Sequence, residues 1–557
     1  MVRGMAVTAQ RSSALRRPLS PILSEKGLLS GSTAALPVAC VLLFQSAAWA
    51  QYTGGSTPTT PAPAVSGIPA NTGQYGLRVQ SFVTVSEVFS DNVALAPAGS
   101  ERSEWTTRFK PSVTITENGP RLRFNATYSP DILYRAIQSA TDISHLLNAS
   151  GNAELVQRLM YVDVRAAVTQ QNVSLRAQQA DSNLNTTSNR TSVKTYGISP
   201  YLRRDFGYDA SGELRFSHDA VSFGSNSNNA SASASERISA QLVSGPSFQL
   251  FNWSLVANKA HIEYTQTGQK VDSKTVSATA GRLITSELRL NANVGYEDSG
   301  YPAATGGTTK GAFWNVGPTW TPTPVTRISA NFGHRYYGPS KTFNFDHRSS
   351  LSTWTVSYSE NVTTTLGSLT IPAALDTNAL VNSLLLSQYP DPIERQTAVQ
   401  QFIATYNLPA SLTVPLNFLT NSLYLDKRWQ AAFGIQGIRN TVITSLFSST
   451  RDSLSATNGA AGNFSVSQSI KQTGGSVTWS SRLTQTLISN ASLGLTRNDL
   501  GAGVGVNRLN FLRFGLTEQF GPRLTGSVLL ARQKSTSTLA GLSYAENSVS
   551  ATLGMRF

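Results

Sequence analysis

Histidines, arginines and carboxylates carry whatever chemistry this 557-residue chain can do, and their spacing narrows it. The histidines are His145, His218, His261, His334 and His347. His334 and His347 flank one predicted loop, and Asp346 adjoins the second. A His–Asp pair beside a serine would be the makings of a hydrolase. No HExxH, GxSxG or P-loop accompanies it, and histidines scattered singly are commoner as wall or loop residues. Gly501-Ala502-Gly503-Val504-Gly505 is glycine-rich but lies in no βαβ context. Cys40 is the only cysteine. The chain therefore reads as a non-enzyme, with no catalytic residues, cofactor or metal.

The arginines say more. Arg121, Arg123, Arg165, Arg215, Arg289, Arg327 and Arg335 fall on the polar parity of alternating segments, interspersed with Asp163, Glu213, Asp219 and Glu287. If that parity faces water, the arginines draw anionic solutes or an acidic polymer. Alternatively they form cross-strand ion pairs that stiffen a wall. Both readings stand at this stage.

Strands must position them. Leu122, Phe124, Ala126 and Tyr128 alternate with Arg123, Asn125 and Thr127; Leu288, Leu290, Ala292 and Val294 alternate with Arg289, Asn291 and Asn293. Successive strand side chains point to opposite faces, so each segment has one greasy and one wet face. At its carboxy end Val549, Ala551, Leu553, Met555 and Phe557 make such a greasy face, as in the closing strand that barrel-assembly machinery reads. Charged residues are 14% of the chain, below the roughly 25% of soluble proteins. Ser, Thr, Asn and Gln replace them, and after about residue 76 no run of about 20 apolar residues marks a membrane helix. These features predict an all-β fold, a transmembrane antiparallel β-barrel.

Short turns at Asn118-Gly119, Gln157-Arg158, Arg204-Asp205, Gly245-Pro246, Gly437-Ile438 and Gly521-Pro522 alternate with long polar connections such as Ala177 to Asn189 and Ser299 to Lys310. About 21 strands are legible, and termini on one side demand an even number, hence about 22, with 20 as the alternative. The parity places the missing ascending strand at Val362 to Ile371, after a descending strand ending near Glu360-Asn361. Pro372 to Asn421 is then a long outer insertion, a lid or plug candidate. A short helix is predicted near Leu380 to Leu386, and another from Asp391-Pro392-Ile393-Glu394 onward. Trp253, Trp314, Trp320, Trp354, Trp429 and Trp479 suit headgroup-level girdles.

Residues 1–50 read as a signal peptide. Arg3, Arg11, Arg16, Arg17 and Lys26 precede an apolar stretch and the Ala48-Trp49-Ala50 cleavage pattern. Removing them takes the formal charge from +14 to +10 and leaves no cysteine. Residues 51–76, rich in Gly, Pro, Ser and Thr, form a flexible periplasmic linker. Residues 77–557 form the barrel.

One region goes beyond pattern. Phe313 to Asn361 contains FWNVGPTWTPTP, then GHRYYG, DHRSS and WTVSYSEN; SEVFSDNVAL, PSVTITENGPRLRFNATYSPDILYR, LNASGNAELV and VDVRAAVTQQNVS precede it, and LYLDKRWQAAFGIQGIRNTVITSLFSSTR follows. Their order resembles the PEP-CTERM system-associated outer-membrane barrels, a family encoded with exopolysaccharide-export loci in Gram-negative bacteria. The resemblance runs from about Gln80 to the end and implies a pore, or a structural or docking component, of polysaccharide export. It supplies no catalytic residues. A general diffusion porin is the alternative, and an outer-membrane hydrolase a third. The expected partners are outer-membrane lipid and lipopolysaccharide, the barrel-assembly machinery, secreted polysaccharide and periplasmic export proteins. Nucleic acid is not among them, because the positive charge is spread over many strands.

Overall fold

The computed structural model describes residues 76–557 apart from 225–231, 304–306, 371–376, 387–388, 390–394, 396–397, 400–419, 421, 456–467 and 502. The predicted signal peptide, nearly all of the linker and the predicted helix start at Asp391 to Glu394 lie outside the described residues. The first strands are β1 (Leu77–Ser90), β2 (Glu104–Asn118), β3 (Leu122–Arg135), β4 (Ala140–Val156), β5 (Met160–Asn172), β6 (Arg190–Phe206), β7 (Ala210–Phe223) and β8 (Ser233–Ser244). Next come β9 (Phe251–Tyr264), β10 (Lys270–Leu283), β11 (Leu288–Asp298), β12 (Lys310–Thr323), β13 (Thr326–Arg335), β14 (Gly338–Arg348) and β15 (Ser352–Thr363). The helices α1 (Thr365–Thr370) and α2 (Thr377–Leu385), with further helical residues at Arg395, Ala398 and Val399, precede β16 (Tyr424–Gln436), β17 (Asn440–Ser453), β18 (Ser469–Arg482) and β19 (Leu487–Asp499). The last strands are β20 (Val506–Gln519), β21 (Leu524–Ser537) and β22 (Tyr544–Arg556).

Every strand pairs antiparallel with the next, and β22 pairs with β1 from Ser90↔Ser548 to Phe82↔Arg556. The result is a closed 22-stranded barrel with no free sheet edge. Closure keeps one parity throughout. Leu512, Phe514, Val528, Leu530, Val549 and Leu553 are all exposed on the outer face. Their neighbours Asn507, Gln533, Ser535 and Glu546 are buried on the inner one. A sheet with an exposed apolar exterior and a polar interior is stable only in a bilayer, and this is an outer-membrane barrel. Trp314, Trp320, Trp354, Trp429 and Trp479 are exposed among these apolar residues.

The connections differ by rim. Turns such as 157–159, 324–325 and 437–439 are short, whereas 91–103, 173–189 and 364–423 are long. The short-turn rim, where β1 starts and β22 ends, is periplasmic; the other faces outward. Odd-numbered strands therefore ascend.

The expected ascending strand at Val362 to Ile371 is not present. Val362 and Thr363 end β15 and Thr365 to Thr370 form α1, while Ile371 lies outside the described residues. The unseen division lies earlier, at Ser349-Ser350-Leu351, where Ser349 Oγ accepts from the backbone N–H of Ser352 at 3.0 Å and Ser349 N–H donates to the Ser352 carbonyl at 2.7 Å. That serine turn splits Gly338 to Thr363 into descending β14 and ascending β15. The total of 22 is unchanged, and the insertion stays on the outer rim but begins at Thr364.

Candidate functional site: the barrel lumen

The inner wall consists of small polar side chains with a minority of charged ones, and the charges are organised as pairs. Arg165 on β5, Gly197 on β6 and Asp219 on β7 occupy one row across three strands. Arg165 Nη2 meets Asp219 Oδ1 at 2.6 Å over the glycine. A Cβ on Gly197 would run into both side chains, so glycine there lets the pair form between next-nearest strands. Arg215 bonds Asp163 on β5 and Glu213 on its own strand, and its guanidinium lies 3.8 Å from the Tyr201 ring centroid. Arg335 Nε meets Glu297 Oε1 at 2.9 Å, again skipping a strand.

The seven arginines do not form one patch. Arg165 and Arg215 share a cluster with Asp163, Glu213 and Asp219. Arg335 is at the outer end of β13, whereas Arg123, Arg289 and Arg327 sit near the periplasmic ends of their strands. Arg289 bonds Asn252. Arg121 departs from the expectation of a wall position: it lies in the turn before β3, exposed, with Nη2 3.5 Å from Gln157 Oε1 of the next periplasmic turn.

Unexpected from sequence is a further set of inner charges. Asp131 is fully buried and receives both Arg108 Nε and Nη2 at 2.6 Å. Asp426, on β16, receives Arg428 Nη2 at 2.9 Å and lies 3.7 Å from Arg451 Nε. Parity was the signal that could have found them, since Arg108, Lys110, Asp426 and Arg428 alternate with Phe109, Pro111, Leu425 and Trp429.

Two segments fold into this lumen. Residues 173–189, joining β5 to β6, bond to β3 and, beyond the β1–β22 seam, to β20, β21 and β22. Asn183 Nδ2 donates to Asp131 Oδ2 at 2.8 Å, and the Leu184 carbonyl accepts from Arg135 Nη1 at 2.8 Å. Asn185 Nδ2 donates to Glu546 at 2.9 Å, and the Gln179 carbonyl accepts from Gln533 (2.9 Å) and the Tyr544 hydroxyl (2.8 Å). Asp181 pairs with Arg513, the eighth of fourteen residues of β20, so the loop reaches mid-height.

The second segment starts at α1. Leu366, with Leu423, packs against Val193, Val221, Ile262, Tyr264 and Val271 from β6, β7, β9 and β10, under the outer rim. The Tyr264 and Tyr301 hydroxyls bond there at 2.6 Å, and burial pushes the Tyr301 phenol, which lies outside the strands, well above its usual value. α2 goes deeper. Leu380, Val381, Leu384 and Leu385 are all buried with Ala398 and Val399 against Ala432 and Ile443. Ser383 Oγ bonds Thr353 Oγ1 at 2.9 Å, and Leu380 occupies the space a Cβ on Gly434 would meet. Thr353, Gly434 and Ile443 lie near the periplasmic ends of β15, β16 and β17. The outer insertion thus descends through the lumen to its far end. The short helix expected near Leu380 to Leu386 is α2, shifted three residues earlier at its start.

The histidines do not assemble. His334 pairs with Pro339 and His347 with Thr326, eight residues apart along β13, or about 26 Å at the strand rise. Both lie on the outer parity, while Asp346 faces inward. Among the described residues, no group of three or more His, Cys, Asp or Glu could hold a metal ion.

Neither a protein-family model nor a curated protein matches this chain. Among solved structures it is similar to the siderophore receptor PirA of Pseudomonas aeruginosa, with 10% identity, TM-score 0.44, and coverage of 87% of this chain and 81% of that one. PirA of Acinetobacter baumannii gives 9% identity, TM-score 0.46 and the same coverages. OccAB4 of Acinetobacter baumannii gives 9% identity and TM-score 0.31, covering 87% of this chain and all of that one.

Proposed function

We propose that this outer-membrane barrel is a non-catalytic component of exopolysaccharide export, whose lumen is held obstructed by its own chain until a partner or the polymer displaces the obstruction. The observation that carries the obstructed state is α2, seated on an apolar seam at the periplasmic end of the wall. The export role is supported by the resemblance of Phe313 to Asn361 to barrels of polysaccharide loci, and by a wall whose arginines suit an acidic polymer. The pairing of Arg165, Arg215 and Arg335 tempers that field without abolishing it: the inner parity also carries Arg123, Arg203 and Arg237.

A general diffusion porin is the second reading, favoured by the polar, arginine-bearing interior. Deleting the gene and scoring secreted polysaccharide separates the two. Loss of surface polymer with unchanged small-solute uptake supports export; unchanged polymer with reduced uptake supports the porin.

A further inference from the structure

The outer face carries a second charge pattern, above the apolar band. On β19 the outward residues Ala491, Leu493 and Leu495 give way to Arg497; on β20, Leu512 and Phe514 give way to Asn510 and then Arg508. On β21, Val528 and Leu530 give way to Arg532 and Lys534, and on β18, Val477 gives way at the top to Lys471. All five basic residues are exposed. They form one strip across four adjacent strands, at the height where lipid headgroups meet water on the outward side.

The pairing within the strip is unfavourable by itself. Arg497 and Arg508 are directly opposite in the ladder, where Cβ atoms stand about 4.5–5.5 Å apart and like charges repel. Lys534 is opposite Asn510, one step diagonally from Arg508. The strip's one carboxylate, Asp499, is directly opposite Lys471 and 3.5 Å from Arg497 Nη2, one acid among five bases. Among the described residues, Lys471, Arg508 and Lys534 have no carboxylate within 4.0 Å. A like pair elsewhere on the outer face, Lys259 opposite Lys274, is offset by neighbouring acids: Asp272 lies on the same face and Glu263 pairs with Lys270.

We infer that the outward strip Lys471–Arg497–Arg508–Lys534, with Arg532, is a binding site for the phosphate groups of an outer-leaflet phosphorylated glycolipid, its acyl chains lying on Leu495, Leu512, Phe514 and Leu530. Two opposed guanidiniums present a paired donor array that a phosphate accepts bidentately. The adjoining apolar face supplies what a free anion cannot use. The site is independent of what the lumen carries.

The test uses the full-length barrel in non-ionic detergent. Binding of bisphosphorylated lipid A, the same lipid dephosphorylated, and inorganic phosphate is measured by native mass spectrometry. Phosphorylated lipid A should bind at least about tenfold tighter than the dephosphorylated form, and R508Q/K534Q should lose that preference. K194Q, on the outer face of β6, should retain it. Inorganic phosphate displacing the lipid completely, or equal binding of the two lipids, would overturn the proposal. R508Q alone removes the opposed charge with the least disturbance. Without lipid A it should unfold at the same temperature as the native protein or higher. Adding lipid A should raise the native melting temperature and leave that of R508Q behind. Equal stabilisation of both also overturns it.

Discussion

At the scale of single residues, the lumen is a set of charges that hold other parts in place. Asp131 joins the wall, through Arg108, to the crossing loop, through Asn183. Removing one partner of a buried charge pair costs about 3–5 kcal/mol, because the remaining charge stays desolvated. Asp131→Ala should therefore destabilise the barrel by about that much. Asp131→Asn keeps the shape but weakens both bonds; it should release residues 173–189 and raise single-channel conductance in planar bilayers. Unchanged conductance in a folded D131N protein would mean the loop is held by Glu546, Gln533 and Arg513 without Asp131. The arginines predict a second outcome. Replacing Arg123, Arg289 and Arg327 together by Gln should lower anion-over-cation selectivity, read as the reversal potential under a salt gradient. Single replacements should do little, since salt screens each charge over about 8–10 Å.

At the scale of elements, α2 and β22 have separable roles. α2 buries Leu380, Val381, Leu384 and Leu385 on one face, each worth roughly 1.5–3 kcal/mol when removed from water. Thr353 and Ser383 already touch across this seam. A T353C/S383C protein, whose chain after the expected cleavage holds no other cysteine, should form a disulfide that locks α2 to the wall. Conductance should be low when oxidised and rise on reduction; no change on reduction would place the permeation barrier elsewhere. β22 closes the barrel against β1, with Val549, Ala551, Leu553, Met555 and Phe557 on the lipid parity. An arginine on the lipid face costs about 2–4 kcal/mol at the midplane. Val549→Arg combined with Leu553→Arg should reduce heat-modifiable barrel in the outer membrane. Full recovery of folded protein would remove these positions from the lipid interface.

At the scale of the whole molecule, the barrel wall is complete without the material inside it. Thr363 and Tyr424 are ladder partners, so residues 364–423 can be replaced by a tight turn without breaking a strand pair. The excised protein should insert and remain heat-modifiable, while its conductance rises well above that of the native chain. If it fails to fold, the insertion is part of the wall's stability, and the reversible T353C/S383C lock decides the same question.

Much of this architecture was legible in the residues. The alternation of Leu122, Phe124 and Ala126 with Arg123, Asn125 and Thr127 identifies a strand and both its faces, because period two is a property of the local backbone. Gly119, Gly245, Gly437 and Gly521 marked part of the periplasmic rim. Ser349-Ser350-Leu351 has no glycine, proline or asparagine and lies between two strands of compatible pattern, and missing it displaced the expected strand to Val362 to Ile371. What only the tertiary structure decided depends on partners far apart in sequence. The Arg165–Asp219 pair, which skips a strand, needs Gly197 beneath it; Gln179 meets Tyr544 across the β1–β22 closure, and Leu380 meets Gly434 through the packing of α2 on β16. Side-chain direction follows from the chain's own geometry; which way a loop folds into a lumen is settled by bonds to wall residues distant in sequence, and no local pattern encodes them.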